Sequence, residues 1–326
     1  GIPKNLYEIL IIAVPSAIGA LSLAFADSFW FNAMEAEVYG FGTFLMALCI
    51  YVMMLWWEKA DEPGSDKYIL FFSYVVGLSI GIHLLVVQTL FLLGIAFYFK
   101  RFEYQLKTFL IAVGVSMLSF FLVYPIIVKK MPALIQSSPV VGFVIIVLAI
   151  IVGIVYSVQK QSKALNLVFT SLFLIVLGYT TYITVLQRSG VQDLPLDENN
   201  PDNMERLLSY LNREQYGDQP LVLPRRYSQE PQHWRTWQNY TGDMDFMWKY
   251  QINEMFNRYL FWQYIGRAGY QQGDGVDFSK LFAIPFILGL IGVFHHFRRD
   301  WKLAMVFLLM FILMGVVTAL YQNQQD

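Results

Sequence analysis

The chain has 326 residues, 56% of them hydrophobic, 17% aromatic and only 14% charged, with a net charge of -1. Soluble domains carry roughly 25% charged residues, so this composition excludes an ordinary soluble domain, and with no basic excess nothing argues for nucleic acid as a partner. The single cysteine, Cys49, sits inside an apolar run and has no partner for an internal disulfide.

Spans of about 20 predominantly apolar residues are predicted at 9–26, 39–57, 68–82, 84–99, 108–128, 139–157, 164–186, 281–297 and 303–321. The fold class is therefore all-α, a polytopic membrane helix bundle. It divides into a bundle over 1–186, an outer loop or small cap over 187–280 and a closing hairpin over 281–326. No signal-peptide pattern precedes the first span, and neither terminal stretch, GIPKNLY or YQNQQD, has the look of a natural end.

Between the first two spans lies DSFWFNAMEAEVYG, from Asp27 to Gly40, too polar to cross a bilayer and too apolar for an ordinary loop. A carboxylate costs roughly 2.5–3.5 kcal/mol at the centre of a spanning helix, so acids gather at span ends. Asp27, Glu35 and Glu37 are thus predicted at the mouth of a membrane-embedded site. A carboxylate there can act as a general base or hold a divalent cation, and Glu35 and Glu37 are the candidates for both roles. On a helix these two would point about 200° apart, so they need not share one target. Asp27 is equally placed to cap the short helix after it.

Residues 68–99 form one apolar run that as a single helix would be about 48 Å long, against a hydrocarbon core of about 30 Å. A fold-back at Gly81-Ile82-His83 resolves the excess. Lys and Arg in short loops favour the cytoplasmic side. With the fold-back, Lys4, Lys59, Lys67, Lys100, Arg101, Lys107, Lys160, Lys163, Arg298, Arg299 and Lys302 fall inside, and only Lys129 and Lys130 outside. The same arrangement puts His83, the acid-rich segment and 187–280 on the outer face. His83 is a candidate to hydrogen-bond a phosphate or relay a proton, or simply a packed histidine at a turn.

In the outer segment, a turn over Asp197–Pro201 leads to a helix capped by Asp202 or Asn203, with Met204, Leu207, Leu208 and Leu211 on its apolar face and Gly217 as its stop. Met244 to Ile265 reads as an amphipathic interfacial helix, with Asn253, Glu254, Asn257 and Arg258 on one side and Ile252, Met255, Phe256 and Tyr259 on the other. Arg258 and Arg267 would sit at headgroup level, where a guanidinium can grip a phosphate or merely anchor the interface. Asp243-Met244-Asp245 resembles a metal-binding D-x-D, but no nucleotide sugar is expected on the outer face. Asn239-Tyr240-Thr241 fits an N-glycosylation acceptor. His233, Trp234 and Trp237 could stack on a sugar or pack at the interface.

Four motifs in order, FADSFWFNAMEAEVYG, GLSIGIHLL, ENNPDNMERLLSYLNREQYGDQPL and NRYLFWQYIGRAG, resemble the protein O-mannosyl-transferase-like membrane proteins of glycosyltransferase family 117, similar in turn to the C-type glycosyltransferase fold. The resemblance implies transfer of a hexose, mannose first, from a polyprenyl-phosphate donor to a protein Ser or Thr hydroxyl, with inversion. It implies that Glu35 and Glu37 are acids of a second outer loop, that a base-bearing loop and further spans stand upstream of Gly1, and that a hydrophilic region follows the last span. It also implies a bacterial inner membrane with the site on the periplasmic face. The expected partners are the lipid-phosphate sugar, the acceptor protein and membrane lipid. A non-catalytic scaffold and a transporter are the rival classes. Transport would call for charges or broken helices at mid-membrane, yet every ionisable group maps to an edge or loop.

Overall fold

The computed structural model describes all residues except 1, 2, 4, 35–37, 196, 198, 213, 215–234, 270, 272 and 323–326, and at 27, 28, 139, 140, 321 and 322 the backbone alone. The described chain is helical, with one isolated antiparallel bridge between Arg267 and Val276. Seven helices are long and apolar enough to cross a membrane, at 6–24, 38–59, 84–101, 106–137, 141–159, 163–189 and 301–320. The protein is an all-α, polytopic integral membrane protein. Two of the nine predicted spans come out shorter, as helices of 15 and 16 residues. The chain forms two compact units, one of residues 41–219 with 305–314, the other of 1–40, 220–304 and 315–326.

In the first unit, α3 (Val38–Lys59) is followed by α4 (Asp66–Ile80), a 3-10 turn over Leu84–Gln88 and α5 (Thr89–Arg101); α1 (Leu6–Ala24) and α2 (Asp27–Met34) precede them in the other unit. The predicted break at Gly81-Ile82-His83 is present, and the chain does fold back there. Arg101 Nη1 reaches Asp61 at 3.1 Å and Lys100 Nζ reaches it at 3.4 Å, so α5 ends beside the loop from which α4 departs. Arg101 also lies over the Trp56 ring, and Trp56 stacks on Phe97. Lys59, Lys67, Lys100 and Arg101 thereby come to one end of the bundle and His83 to the other, where a Cβ on Gly42, near the start of α3, would meet the His83 Cβ at 3.0 Å.

The bundle continues through α6 (Leu106–Leu122), a π-helical stretch over Val123–Lys130, α7 (Met131–Ser137), α8 (Pro139–Gln159) and α9 (Lys163–Tyr179), then a 3-10 turn and α10 (Ile183–Ser189). The predicted span 108–128 is longer than expected, because the helix runs on to Ser137 through the π stretch. Pro125 lies inside that stretch and has no N–H for the regular ladder, and one widened turn absorbs the defect. Helices α4 and α9 pack without side chains between them. A Cβ on Gly178 would lie 2.6 Å from Leu78 N and 2.7 Å from Tyr74 O, and one on Gly77 would strike the Ile175 carbonyl. Small residues at such a crossing let backbones approach, which is what drives helix association in lipid.

The predicted cap helix is α11 (Met204–Asn212). Asn203 is the cap: its Oδ1 accepts the Arg206 N–H at 3.0 Å, while Asp202 pairs with Arg206 Nη1 at 2.9 Å. Leu207, Leu208 and Leu211 are buried as the spacing predicts, against α7 and the π stretch before it. Its described part runs to Asn212, and the predicted stop at Gly217 lies outside the described residues.

In the second unit, α12 (Asp243–Phe246), a π-helical stretch over Met247–Asn257 and α13 (Arg258–Tyr264) form one continuous helix. After it, Asp274 N–H bonds to Gln271 O at 3.1 Å, and α14 (Phe278–Leu281), α15 (Ile284–Arg299), α16 (Trp301–Phe311), whose last part belongs to the first unit, and α17 (Thr318–Gln322) follow. The predicted span 281–297 starts late because Phe282 and Ala283 both have left-handed φ, 50° and 53°. Pro285 in the first turn of α15 can begin a helix but gives no N–H to continue one from upstream.

Candidate functional site

The long helix 243–264 has the predicted two faces, with one shift. Asn253 and Glu254 are exposed and Met255 is buried. Arg258, expected with the polar residues, instead has a side chain only 10% exposed. The π stretch explains this. Its i to i+5 bonding lengthens the repeat, so that Phe246, Tyr250 and Met255 share the buried side and Arg258 is turned towards the aromatic rings. Gln251 is also fully buried in this stretch and donates from Nε2 to the Leu320 carbonyl at 3.1 Å, tying α17 to it.

Arg258 Nε donates to the Glu254 carbonyl at 3.0 Å, and Nη1 stands 3.7 Å from the Glu254 carboxylate. Its Cζ lies 4.9 Å from the centre of the Trp262 ring, and that of Arg267 lies 4.1 Å from the same ring. Trp262 is 3% exposed, and its Nε1 donates to the Gly275 carbonyl at 3.1 Å. Arg267 Nη2 donates to the Gln271 carbonyl at 3.0 Å. The loop that carries Arg267 is closed by the bonds Ala268 N–H to Gly275 O and Asp277 N–H to Gly266 O, both 3.0 Å. Gly266 makes the closure possible: its φ is +138°, and a Cβ there would meet Asp277 O at 2.5 Å.

The structure thus brings the two predicted guanidinium groups onto one indole. Their Cζ atoms are no more than about 9 Å apart, a separation at which two like charges repel by about 2 kcal/mol at an effective dielectric of about 20. An anion that bridges both relieves that repulsion, and guanidinium groups bind phosphate bidentately. The residue that sequence reasoning passed over is Trp262. Its signal was available: Arg258 and Trp262 are four apart on a helix, where side chains meet.

Helix α13 also packs against α2, the short helix that begins at Asp27. The first helical bond of α2 runs from Trp30 N–H to Ala26 O at 2.9 Å, so Ala26 holds the cap position and Asp27 is the first helical residue, not the cap. Glu35 and Glu37, the other predicted catalytic acids and the pair assigned to a divalent cation, lie outside the described residues, as do His233 and Trp234. Among the described residues, no three His, Cys, Asp or Glu side chains gather as metal ligands.

His83 belongs to the other unit. It caps the 3-10 turn 84–88, its Nδ1 accepting the Leu85 N–H at 3.2 Å. That bond puts the proton of the neutral ring on Nε2, which makes His83 a donor. Asp245, in the first turn of the long helix, is held below the usual carboxylate range by Lys249 and by Thr241 N–H, which donates to it at 3.1 Å.

Residues 3–108, roughly a third of the chain, match the family model described as Protein O-mannosyl-transferase TMEM260 N-terminal domain. No curated protein and no solved structure matches the chain. The part of the sequence that holds Asp27, Glu35, Glu37 and His83 is thus similar to the N-terminal domain of the TMEM260 protein O-mannosyl-transferases, in line with the family that the motifs resemble.

Proposed function

We propose that this chain is a membrane glycosyltransferase, or the membrane part of one, that transfers mannose from a polyprenyl-phosphate donor to a protein Ser or Thr hydroxyl on the outer face of a bacterial inner membrane. The observation that carries the reading is the O-mannosyl-transferase match over the segment with the acid-rich loop. The clustering of Arg258 and Arg267 on Trp262, on a helix that touches α2, supports it.

In this reading the acids of the Asp27–Glu37 segment shape the sugar end of the donor site, and a carboxylate base takes the proton of the acceptor hydroxyl. The oxygen attacks the anomeric carbon from the side opposite the phosphate, the bond from that carbon to the phosphate oxygen breaks, and the configuration inverts. The lipid phosphate leaves with the bonding electron pair, and Arg258 and Arg267 carry its charge. The polyprenyl tail stays among the spans.

The test is transfer of radiolabelled mannose from a synthetic polyprenyl-phosphate donor to a Thr-containing peptide, using the complete gene product and its Glu35→Gln, Glu37→Gln and Asp27→Asn variants. Loss of transfer by about 100-fold in one of them is expected, the cost of a misplaced reacting group. Wild-type rates in all three would refute the acid-loop role. Absence of transfer by the complete wild-type protein would favour a scaffold.

A further inference from the structure

On the outer cap, α11 has two working faces. Leu207, Leu208 and Leu211 are buried, while Arg206, Ser209 and Tyr210, at i, i+3 and i+4, line an open surface hollow of about 260 Å³ together with Asn199 and Glu214. Asn199 is brought there by a left-handed turn, φ 62°, with Asn200 beside it at 42°. The turn is pinned by Ser189, whose Oγ donates to the Asp197 carboxylate at 2.8 Å. Across the hollow, Ser209 Oγ donates to Glu214 Oε2 at 2.8 Å, and Asn212 Nδ2 donates to its Oε1 at 3.4 Å. Tyr210 shares a hydrogen bond with Tyr182, and Tyr182 packs on Gly81, two residues before His83.

The lining chemistry restricts the ligand. Arg206 disfavours a cation and Glu214 an anion, so a neutral molecule fits best. The guanidinium, carboxylate, amide and hydroxyls offer donors and acceptors side by side, which suits neighbouring hydroxyl groups that each both donate and accept. The Tyr210 ring adds an apolar surface. The volume lies below the roughly 300–1,000 Å³ of drug-sized sites, enough for one pyranose ring. We propose that this hollow is a binding site for a single neutral hexose unit, separate from the Arg258–Trp262–Arg267 cluster. The transferase reading enters only in the choice of mannose as the first probe.

The experiment measures binding without transfer. The full chain in nanodiscs is titrated with methyl α-mannopyranoside and observed by saturation-transfer NMR, alongside a mannosyl-threonine peptide and the same peptide without sugar. Saturable binding of the mannoside is expected, with the glycopeptide binding at least as well if the source is a protein-linked sugar and worse if it is a free or donor sugar. Glu214→Gln and Ser209→Ala should each weaken the mannoside by about 10-fold, the loss of roughly one hydrogen bond to the sugar, with helix content unchanged by circular dichroism. No saturable binding by the wild type, wild-type affinity in both variants, or binding of the bare peptide as tight as that of the glycopeptide would each overturn the proposal. A chain that binds mannoside yet transfers nothing would instead sink the transferase reading and leave this one standing.

Discussion

Replacing Trp262 tests the guanidinium cluster most directly, because one side chain orients both arginines. In Trp262→Leu, two cation–π contacts and the indole N–H bond to the Gly275 carbonyl are lost. Each cation–π contact is worth about 0.5–1 kcal/mol when exposed and about 2 when desolvated. The Arg258 side chain is only 10% exposed, which places its contact towards the upper figure. The bonds from Arg258 to Glu254 and from Arg267 to Gln271 do not involve the indole and survive. The arginines are therefore loosened and not removed. If about 1.4 kcal/mol of that orientation is lost from the donor complex, donor affinity falls about 10-fold. The assay is the KM for a polyprenyl-phosphate mannose donor, measured beside the KM for the acceptor peptide. The donor KM should rise about 10-fold in Trp262→Leu and less in Trp262→Phe, which keeps a ring, while the acceptor KM stays within about 2-fold. A Trp262→Leu variant with unchanged donor KM, next to an Arg258→Gln variant whose donor KM rises, would show that the indole does not position the cations.

The α4–α9 crossing makes a prediction about packing. Gly178→Ala drives a Cβ to 2.6 Å from Leu78 N, an overpacking cost of about 1–3 kcal/mol, whereas Gly114→Ala, with nothing within 4 Å, should be neutral or stabilise by up to about 1 kcal/mol through helix propensity; detergent unfolding midpoints compare the two. Asp245 has a depressed carboxyl pKa, so its contribution is fully present above the usual carboxylate range and is lost as pH falls through the lowered value. Asp245→Asn should therefore lower the thermal midpoint at pH 7, with the difference from wild type shrinking as pH falls below the usual carboxylate range, as followed by tryptophan fluorescence. Sidedness follows from the charge distribution. Cysteines placed at Ala33 and Asn200 should react with an impermeant maleimide from the outside and one at Glu62 only after permeabilisation; labelling of positions 33 and 200 from opposite sides would refute the topology.

The sequence reveals those features of this fold that depend on local rules, and hides those that depend on contacts between distant segments. The fold-back at Gly81-Ile82-His83 was readable because an overlong apolar run and the placement of Lys100 and Arg101 both required it, and the Arg101–Asp61 pair now closes it. The cap helix was readable from its spacing and from Asn203. The late start of α15 was less so: Pro285 marks it, but the left-handed pair Phe282 and Ala283 carries no glycine to announce itself. The π stretch at 247–257 had no local signature at all. It is tied to α17 by the Gln251 bond to Leu320, 69 residues away, and no repeat of 3.6 residues anticipates a contact of that kind. That departure from helical period turns Arg258 away from the solvent side, where the regular repeat put it, while its contact with Trp262 is the ordinary i, i+4 contact within α13. An arginine at the solvent side of a regular helix would have been an interfacial anchor. Held against the same ring as Arg267, it stands where the proposed donor phosphate would need it.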